Sequence, residues 1–367
     1  MFISKKEAFT MYYKEFHQLS LSALGLGSLR LPTVAGNPNE INRKEGQKIL
    51  DYALQNGINY IDTAYTYHEG DSERFLGETL KNYPRDSYYL ATKFYVSANP
   101  DIHSVFEEQL RRCHTDYFDF YLFHGMDENC IDAITDEQKG YLDYLLRQKE
   151  AGRIRFLGFS SHAAPDTLTR FLNWYDGFDM ALIQLNYLDW TLLNAKKQYE
   201  ILTQHKIPVW VMEPLKGGRL STLNSAASKI LKSSAPNRSI SSWGFRFLMG
   251  LPNVQTVLSG MSSLEQLRDN LQTFSHPDPL NSSEKEALTK AGEIFMKDLG
   301  VPCSGCRYCC NVCPAKLDIP LLIKGYNERQ ISGETWRIAQ LTQLEHSPRE
   351  CQQCGLCRQH CPQKIDV

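Results

Sequence analysis

RKEGQKILDYALQNGINYIDTAYTYHEGDSERFLGETLKNY, residues 43–83, reads as a helix, a strand and a second helix. Asn42 can cap the first helical stretch, and Gly57 stops it. NYIDTA (59–64) is a short unbroken apolar run, and Asp71 then opens SERFLGETLKNY. A run without alternation is what a strand buried on both faces needs. Seven more such runs follow this pattern in order along the chain: LSALGLG (21–27), YYLATKF (88–94), DFYLFHG (119–125), IRFLGFSS (154–161), MALIQLNY (180–187), PVWVMEPL (208–215) and VQTVLSG (254–260). Helical signals lie between them. Asp101 opens IHSVFEEQLRRC, Pro165 sits at a first helical turn, and SSLEQLRDNLQTF follows the last run. Eight strand–helix units in succession predict an α/β fold, a closed (β/α)8 TIM barrel. An open doubly wound sheet is the runner-up, but no glycine-rich GxGxxG turn follows the first strand.

The bulk numbers agree. With 367 residues, 42% hydrophobic and 22% charged, the chain has room for a barrel of roughly 250 residues and a smaller domain besides. A formal net charge of −2 predicts no nucleic-acid partner. No run of about 18 apolar residues predicts a membrane span, and MFISKKEAFTMYYKEFHQLS lacks a signal-peptide core, so a cytoplasmic location is expected. SHPDPLNSS (275–283) is a polar, proline-containing break before the helical stretch EKEALTKAGEIFMKDLG. The expected division is a barrel over 1–280, a helical linker over 281–300 and a small C-terminal domain over 301–367.

Of 11 cysteines, only Cys113 and Cys130 fall in the first 300 residues. A disulfide framework spreads across the domain it staples, whereas clustered cysteines in a leaderless chain read as metal ligands. The spacing is Cys303-x2-Cys306-x2-Cys309-x3-Cys313-Pro314, repeated as Cys351-x2-Cys354-x2-Cys357-x3-Cys361-Pro362. Three thiolates two residues apart wrap one 4Fe–4S cube, and the proline carries the fourth cysteine away to the other cube. One cluster then takes Cys303, Cys306, Cys309 and Cys361, and the other takes Cys351, Cys354, Cys357 and Cys313. Structural zinc wants four ligands, commonly as two separated pairs, and fits two combs of four poorly. Cys310 has no counterpart, since Arg358 stands at that place in the second comb. The segment between the combs has helical spacing, and Leu321, Leu322, Trp336, Ile338 and Leu341 can pack a shell around the clusters. The combs resemble two-cluster ferredoxins, and their separation by a helical insert is similar to the helical ferredoxin modules of respiratory enzymes.

Catalytic groups of a barrel gather at the C-terminal ends of its strands. Asp62, Lys93 and His124 stand at successive strand ends, with Tyr67 shortly after Asp62. An ammonium favours a neighbouring phenolate, so Lys93 is expected to lower the Tyr67 phenol's pKa while Asp62 holds the lysine. With His124 on the substrate carbonyl, this set can polarise C=O and protonate the alkoxide.

SALGLGSLRLP, GINYIDTAYTYHEGDSERFLGETL, LATKF, TDYFDFYLFHG, GRIRFLGFSSH and SGMSSLEQLRDNL resemble the aldo-keto reductase family, block by block over roughly residues 19–273. The resemblance implies a catalytic tetrad of Asp62, Tyr67, Lys93 and His124. It also implies a nicotinamide cofactor, NADP or NAD, extended across the barrel mouth. Gly27 and Ser28 would lie by the nicotinamide, and Ser160, Ser161 and Gln184 at its carboxamide. Pro214, Leu215 and Gly217 would sit by the pyrophosphate, and Gly260, Ser262, Gln266 and Asn270 by the adenosine. Met212 stands where many members stack a tyrosine on the ring, although a thioether can still pack there. The lysine and arginine that members commonly offer to the adenosine phosphate fall at Gly260 and Gln266, with Arg268 as a nearby substitute for a 2′-phosphate.

The two halves handle electrons differently, because a hydride carries two and a 4Fe–4S cluster one. Three arrangements are open: an ordinary carbonyl reductase with structural clusters, a flavin in the barrel or on a partner that splits the pair, or a substrate that takes single electrons. The expected protein is an iron–sulfur oxidoreductase, an aldo-keto reductase barrel with a mainly helical ferredoxin-like tail. It would act on a small carbonyl or alcohol, with the clusters relaying electrons from a ferredoxin or flavoprotein partner. The rival is an electron-transfer subunit whose barrel does no carbonyl chemistry.

Overall fold

The computed structural model describes residues 10–35, 37–297, 300–301, 303, 308–332, 341, 344–361 and 365–367. Eight strands close a barrel: β1 (Leu24–Gly27), β2 (Tyr60–Asp62), β3 (Tyr89–Phe94), β4 (Phe118–Met126), β5 (Ile154–Ser161), β6 (Met180–Gln184), β7 (Val209–Met212) and β8 (Val254–Ser259). Neighbours follow chain order and pair in parallel throughout, β8 pairing with β1. Each run named from the sequence supplies one strand. At the β5–β6 seam Met180 lies opposite Gly158, where an added Cβ would come within 2.3 Å of the Met180 sulfur.

A hairpin of Tyr13–Phe16 and Leu19–Ser22 precedes the barrel. Its Phe16 ring packs against Phe120, Phe156 and Trp210, near the starts of β4, β5 and β7. The hairpin therefore stoppers the N-terminal end, and the inward stack of Tyr60, Ala91, Leu122, Leu182 and Leu258 fills the space above it. With the floor closed and the interior packed, the opposite end is left for chemistry.

The helix starts follow the sequence reading. The Asn42 side chain accepts from Glu45 N–H at the start of Arg43–Gln55, and Asp101 accepts from Ser104 N–H at the start of Ile102–Cys113. Asp71 does not cap. It is the first residue of Asp71–Leu80, behind a left-handed Gly70, and its carboxylate instead accepts from Arg43 and from Ile41 N–H. A guanidinium fork outcompetes a cap because both of its bonds are charge-assisted.

Packing divides the chain into two compact units. One holds the residues up to Asn186 together with Lys196–Thr222 and Arg238–Asn281. The other holds Tyr187–Ala195, Leu223–Asn237 and the chain from Ser282 onward. Within the second unit, helix Ser282–Lys297 packs on helix Ser225–Ser234. Among the described residues no helix is long and apolar enough to cross a membrane.

Candidate active site

Asp62 ends β2, Lys93 lies one residue before the end of β3, and His124 lies near the end of β4, so three adjacent strands present them at one mouth. Lys93 Nζ donates to Asp62 Oδ1 at 2.7 Å and to the Thr63 carbonyl at 2.6 Å. Both partners are buried, the lysine 1% and the aspartate 3% exposed. Removing one member of such a pair strands a buried charge, at a cost of about 3–5 kcal/mol. Tyr67 comes from the turn after β2. Its hydroxyl lies 3.5 Å from Lys93 Nζ, and the ammonium sits 4.9 Å from the ring centroid. The His124 ring meets Tyr67 edge-on at 5.8 Å and Tyr95 at 5.3 Å. The four residues paired from the sequence thus share one wall of the mouth.

The electrostatics correct one expectation. Burial pushes the Tyr67 phenol above its ordinary pKa; Lys93 pulls it back, and Asp62 and Glu213 add to the rise. The net direction is upward, because the cost of burying a phenolate exceeds the attraction of one ammonium. Burial is also the largest influence on Lys93 and opposes its charge, but Asp62 and Tyr67 outweigh it and the ammonium is stabilised. Burial, then Lys93 and His162, push His124 well below the ordinary imidazole value, so the ring is neutral. Its Nδ1 is buried without a hydrogen-bond partner among the described residues, as is Asp62 Oδ2. The mouth therefore holds a protonated phenol, an ammonium behind it and an uncharged imidazole beside it.

The residues that the resemblance assigns to a cofactor lie at the ends of the other five strands, β5 to β8 and β1, and in the loops and helix just beyond them. Gly27 ends β1. Ser28 is buried, and its hydroxyl donates to the Asp62 carbonyl at 2.8 Å while accepting from Ser72 at 2.7 Å. That side chain ties β1 to β2. Ser160 and Ser161 end β5, where their hydroxyls accept from Gly125 N–H at 2.8 Å and Ala163 N–H at 3.1 Å. Gln184 ends β6, and Met212 ends β7, packed on the barrel's inner stack. Beyond Pro214 and Leu215 the chain turns through Lys216, Gly217 and Gly218 at φ of 48°, 65° and 92°. An added Cβ at Gly218 would meet nothing within 4 Å, so this backbone is an open cradle. Past β8, Ser262 N–H donates to Gln266 Oε1 at 2.8 Å, and Asn270 donates to Ser259 Oγ at 3.0 Å. Gly260 lies under the stem of Arg30, 2.7 Å from an added Cβ. Arg268, the expected substitute for an adenosine-phosphate contact, donates to the Tyr52 hydroxyl at 3.4 Å and lies over that ring.

Arg30 was missed from the sequence. Its guanidinium lies 3.5 Å from where a Gly217 Cβ would stand, and its carbonyl accepts from Ser262 Oγ at 2.7 Å. A cation thus sits between the two loops read as phosphate and adenosine walls. The only signal for it in the sequence is its place just beyond the first strand.

In the C-terminal part, Cys309, Leu317, Ile319, Ile323 and Ile365 form an apolar cluster against which Cys303, Cys310, Cys313, Cys357 and Cys361 pack. Ile319 and Ile323 belong to helix Ile319–Ser332, the insert expected between the combs. Leu322 packs on the same cluster, and Leu341 lies against Gly325. Cys306, Trp336 and Ile338 lie outside the described residues. The short helix Tyr308–Asn311 of the first comb packs on Leu356–His360 of the second, so cysteines of both combs meet one apolar cluster.

Burial pushes the Cys309 thiol up to about 12, and Cys310 and Cys303 add to the rise. Cys357 is raised by burial and then by Cys351 and Cys354. Thiols crowded comb by comb in this way resist ionising singly, and bound cationic iron reverses that cost. Among the described residues no three Cys, His, Asp or Glu side chains converge as one metal ion needs. A 4Fe–4S cube takes each thiolate on a different iron, a wider arrangement. The donor set and its apolar wall fit such a cluster.

A closed barrel with this mouth, joined to a cysteine-comb module, is the architecture of a two-part redox protein. Residues 23–293 match the aldo/keto reductase family and residues 302–365 match the 4Fe-4S dicluster domain. The chain belongs to the aldo/keto reductase family, and it is an oxidoreductase. It is 26% identical over 303 residues to the uncharacterized oxidoreductase YqkF of Bacillus subtilis, covering 74% of this chain and 92% of that protein. It is also 26% identical over 304 residues to L-galactose dehydrogenase of Arabidopsis thaliana, covering 76% and 91%. The holo form of a Bacillus halodurans aldo-keto reductase superposes with a TM-score of 0.63 and 27% identity, over 77% of this chain and 96% of that one.

Proposed function

We propose that the barrel reduces a small carbonyl substrate with NADPH or NADH, or runs the reverse oxidation. The observation that carries this reading is the Tyr67 hydroxyl 3.5 Å from a lysine that is itself ion-paired at 2.7 Å to Asp62. A nicotinamide cofactor, when bound, supplies or accepts the hydride. Tyr67 gives the carbonyl oxygen its proton, Lys93 steadies the phenolate left behind, Asp62 holds Lys93, and neutral His124 donates a hydrogen bond to the same oxygen. Gly27, Ser160, Ser161, Gln184 and Met212 line the nicotinamide half. The loop from Pro214 to Gly218 offers its backbone to the pyrophosphate, with Arg30 beside it, and Gly260, Ser262, Gln266 and Asn270 flank the adenosine. Because Arg268 lies against Tyr52, the preference for NADPH over NADH is slight. Oxidation of NAD(P)H by a panel of aldehydes and ketones tests the reading, and a purified protein inert to all of them rejects it.

The barrel spans 1–280, a linker 281–300 and the cluster domain 301–367, in a reducing cytoplasm where the thiols stay free for iron. Two 4Fe–4S clusters, when bound, exchange single electrons with a ferredoxin or flavoprotein partner. Anaerobic purification is expected to yield a brown protein with about eight irons per chain. Cys361→Ser is expected to damage the cluster of Cys303, Cys306 and Cys309 more than that of its own comb. Electron paramagnetic resonance of the reduced variant reads this out, and loss confined to the second comb's cluster sinks the crossed assignment. An electron-transfer subunit without carbonyl chemistry is the second reading. Met212 favours it, because a thioether on the inner stack is a weaker platform for a nicotinamide ring than tyrosine.

A further inference from the structure

We propose that Glu73, Gln109 and Arg112 form a buried brace that sets the distance between the Tyr67 hydroxyl and Lys93. The inference rests on the reading of Tyr67 as proton donor. None of the three was singled out by sequence, and none belongs to the mouth itself.

Glu73 is fully buried. Its Oε1 accepts from Thr92 Oγ1 and from Gln109 Nε2, both at 2.7 Å, and its Oε2 accepts from Arg112 Nη1 at 3.0 Å. Gln109 Nε2 also reaches the Lys93 carbonyl and Thr92 Oγ1, both at 3.0 Å, and its Oε1 accepts from the Tyr121 hydroxyl at 2.6 Å. The β3 segment that presents Lys93 is thus gripped from behind through side chain and backbone.

Arg112 grips the other partner's segment. Its Nη1 donates to the Tyr65 carbonyl at 3.2 Å, and its guanidinium lies 4.5 Å from the Tyr65 ring centroid. Its Nη2 pairs with Glu108 at 2.6 Å, and Glu108 in turn accepts from the Tyr65 hydroxyl at 3.0 Å. Directly after Tyr67 the backbone runs left-handed through His68, Glu69 and Gly70, at φ of 51°, 54° and 85°. Two non-glycine residues in that region are strained, and such strain persists only where neighbours impose it. Arg112 is such a neighbour, since a Cβ at Gly70 would fall 2.6 Å from its Nη1. One ion pair therefore joins the turn carrying Tyr67 to the strand carrying Lys93.

A buried pair that served stability alone could be exchanged for neutral groups of like shape with little effect. Here its hydrogen bonds end on the two segments whose spacing sets proton transfer, and a misplacement of about 1 Å can cost roughly a hundredfold in rate. Glu73, Gln109 and Arg112 are positioning residues.

The test is the double variant Glu73→Gln/Arg112→Met, which removes both charges and keeps both stems. Tyrosines carry 13C at Cζ, and the Tyr67 resonance is assigned by its loss in Tyr67→Phe. The expected result is a kcat lower by about ten- to a hundredfold. KM should stay within about twofold, and the Tyr67 resonance should shift or broaden while those of Tyr13 and Tyr175 stay in place. A kcat within about twofold of wild type with an unmoved Tyr67 resonance overturns the brace. So does a general change of all tyrosine resonances with a parallel loss of folded protein, provided Arg112→Lys, which keeps the charge and loses the fork, leaves the Tyr67 resonance unmoved. If wild type reduces no carbonyl yet the Tyr67 resonance alone moves in the variant, the brace stands and the proton-donor reading falls.

Discussion

Tyr67→Phe is expected to lower carbonyl reduction by about 10²–10⁴-fold and to leave the NADPH dissociation constant within about twofold. The ring keeps its shape, so its edge contact with His124 at 5.8 Å and its place 4.9 Å from Lys93 Nζ survive. Only the hydroxyl goes, and with it the proton. Burial sets the sign of the argument. It raises the phenol above its ordinary value, so the group is protonated at neutral pH, as a proton donor in the reductive direction must be. Lys93 matters after the proton has left, when its charge offsets the cost of a buried phenolate. Asp62 variants test this less cleanly, because they strand the buried ammonium and cost stability at the same time. Steady-state rates with an aldehyde, set beside a fluorescence titration with NADPH, measure both quantities. A variant that keeps more than about a third of wild-type kcat removes Tyr67 from the mechanism.

The barrel was legible because its signals are local. A continuous apolar run marks a strand covered on both faces wherever it stands, and Asn42 and Asp101 cap the helices that follow them. The grouping at the mouth was legible for a related reason: strand ends of a parallel barrel all point one way, and Asp62, Lys93 and His124 stand at or near the ends of adjacent strands. What stayed hidden depends on groups distant in the chain. Asp71 opens its helix as read, but nothing local shows that Arg43 holds its carboxylate. The direction of the Tyr67 phenol turns on how much the walls of the mouth desolvate it, a quantity the spacing does not contain. The grip of Arg112 on Tyr65 and the place of Arg30 beside Gly217 arise from loop paths. Likewise, nothing in Tyr187–Ala195 or Leu223–Asn237 distinguishes them as stretches that pack with the chain after Ser282. In the combs the spacing carried the donor set, and the shared apolar wall of Cys309, Ile319 and Ile323 came only with the fold.

Cys354→Ser is expected to abolish turnover driven by a one-electron donor such as reduced ferredoxin, and to leave direct NADPH-dependent reduction within about twofold. Carbonyl reduction takes two electrons and two protons. A nicotinamide delivers both electrons as one hydride, whereas ferredoxin delivers them singly, so turnover driven by ferredoxin needs the clusters as relay and also a flavin, or a substrate that itself accepts single electrons, to take up the pair. Cys354 is the suitable probe because it is exposed, so its loss removes one thiolate without opening an apolar core. Its thiol is close enough to Cys357 to raise that neighbour's pKa. Were the clusters structural only, the substitution would loosen the fold around Ile319, Ile323 and Ile365, and any effect on the barrel would reach both assays alike. The repeated comb favours the relay. A staple needs one cluster, while two clusters with crossed ligands stand close enough to pass an electron between them. The decisive quantity is the ratio of the two activities in the variant against wild type, measured on the same anaerobic preparation. A ratio that collapses by about tenfold or more establishes the relay, and a ratio that holds while both rates fall assigns the clusters to structure.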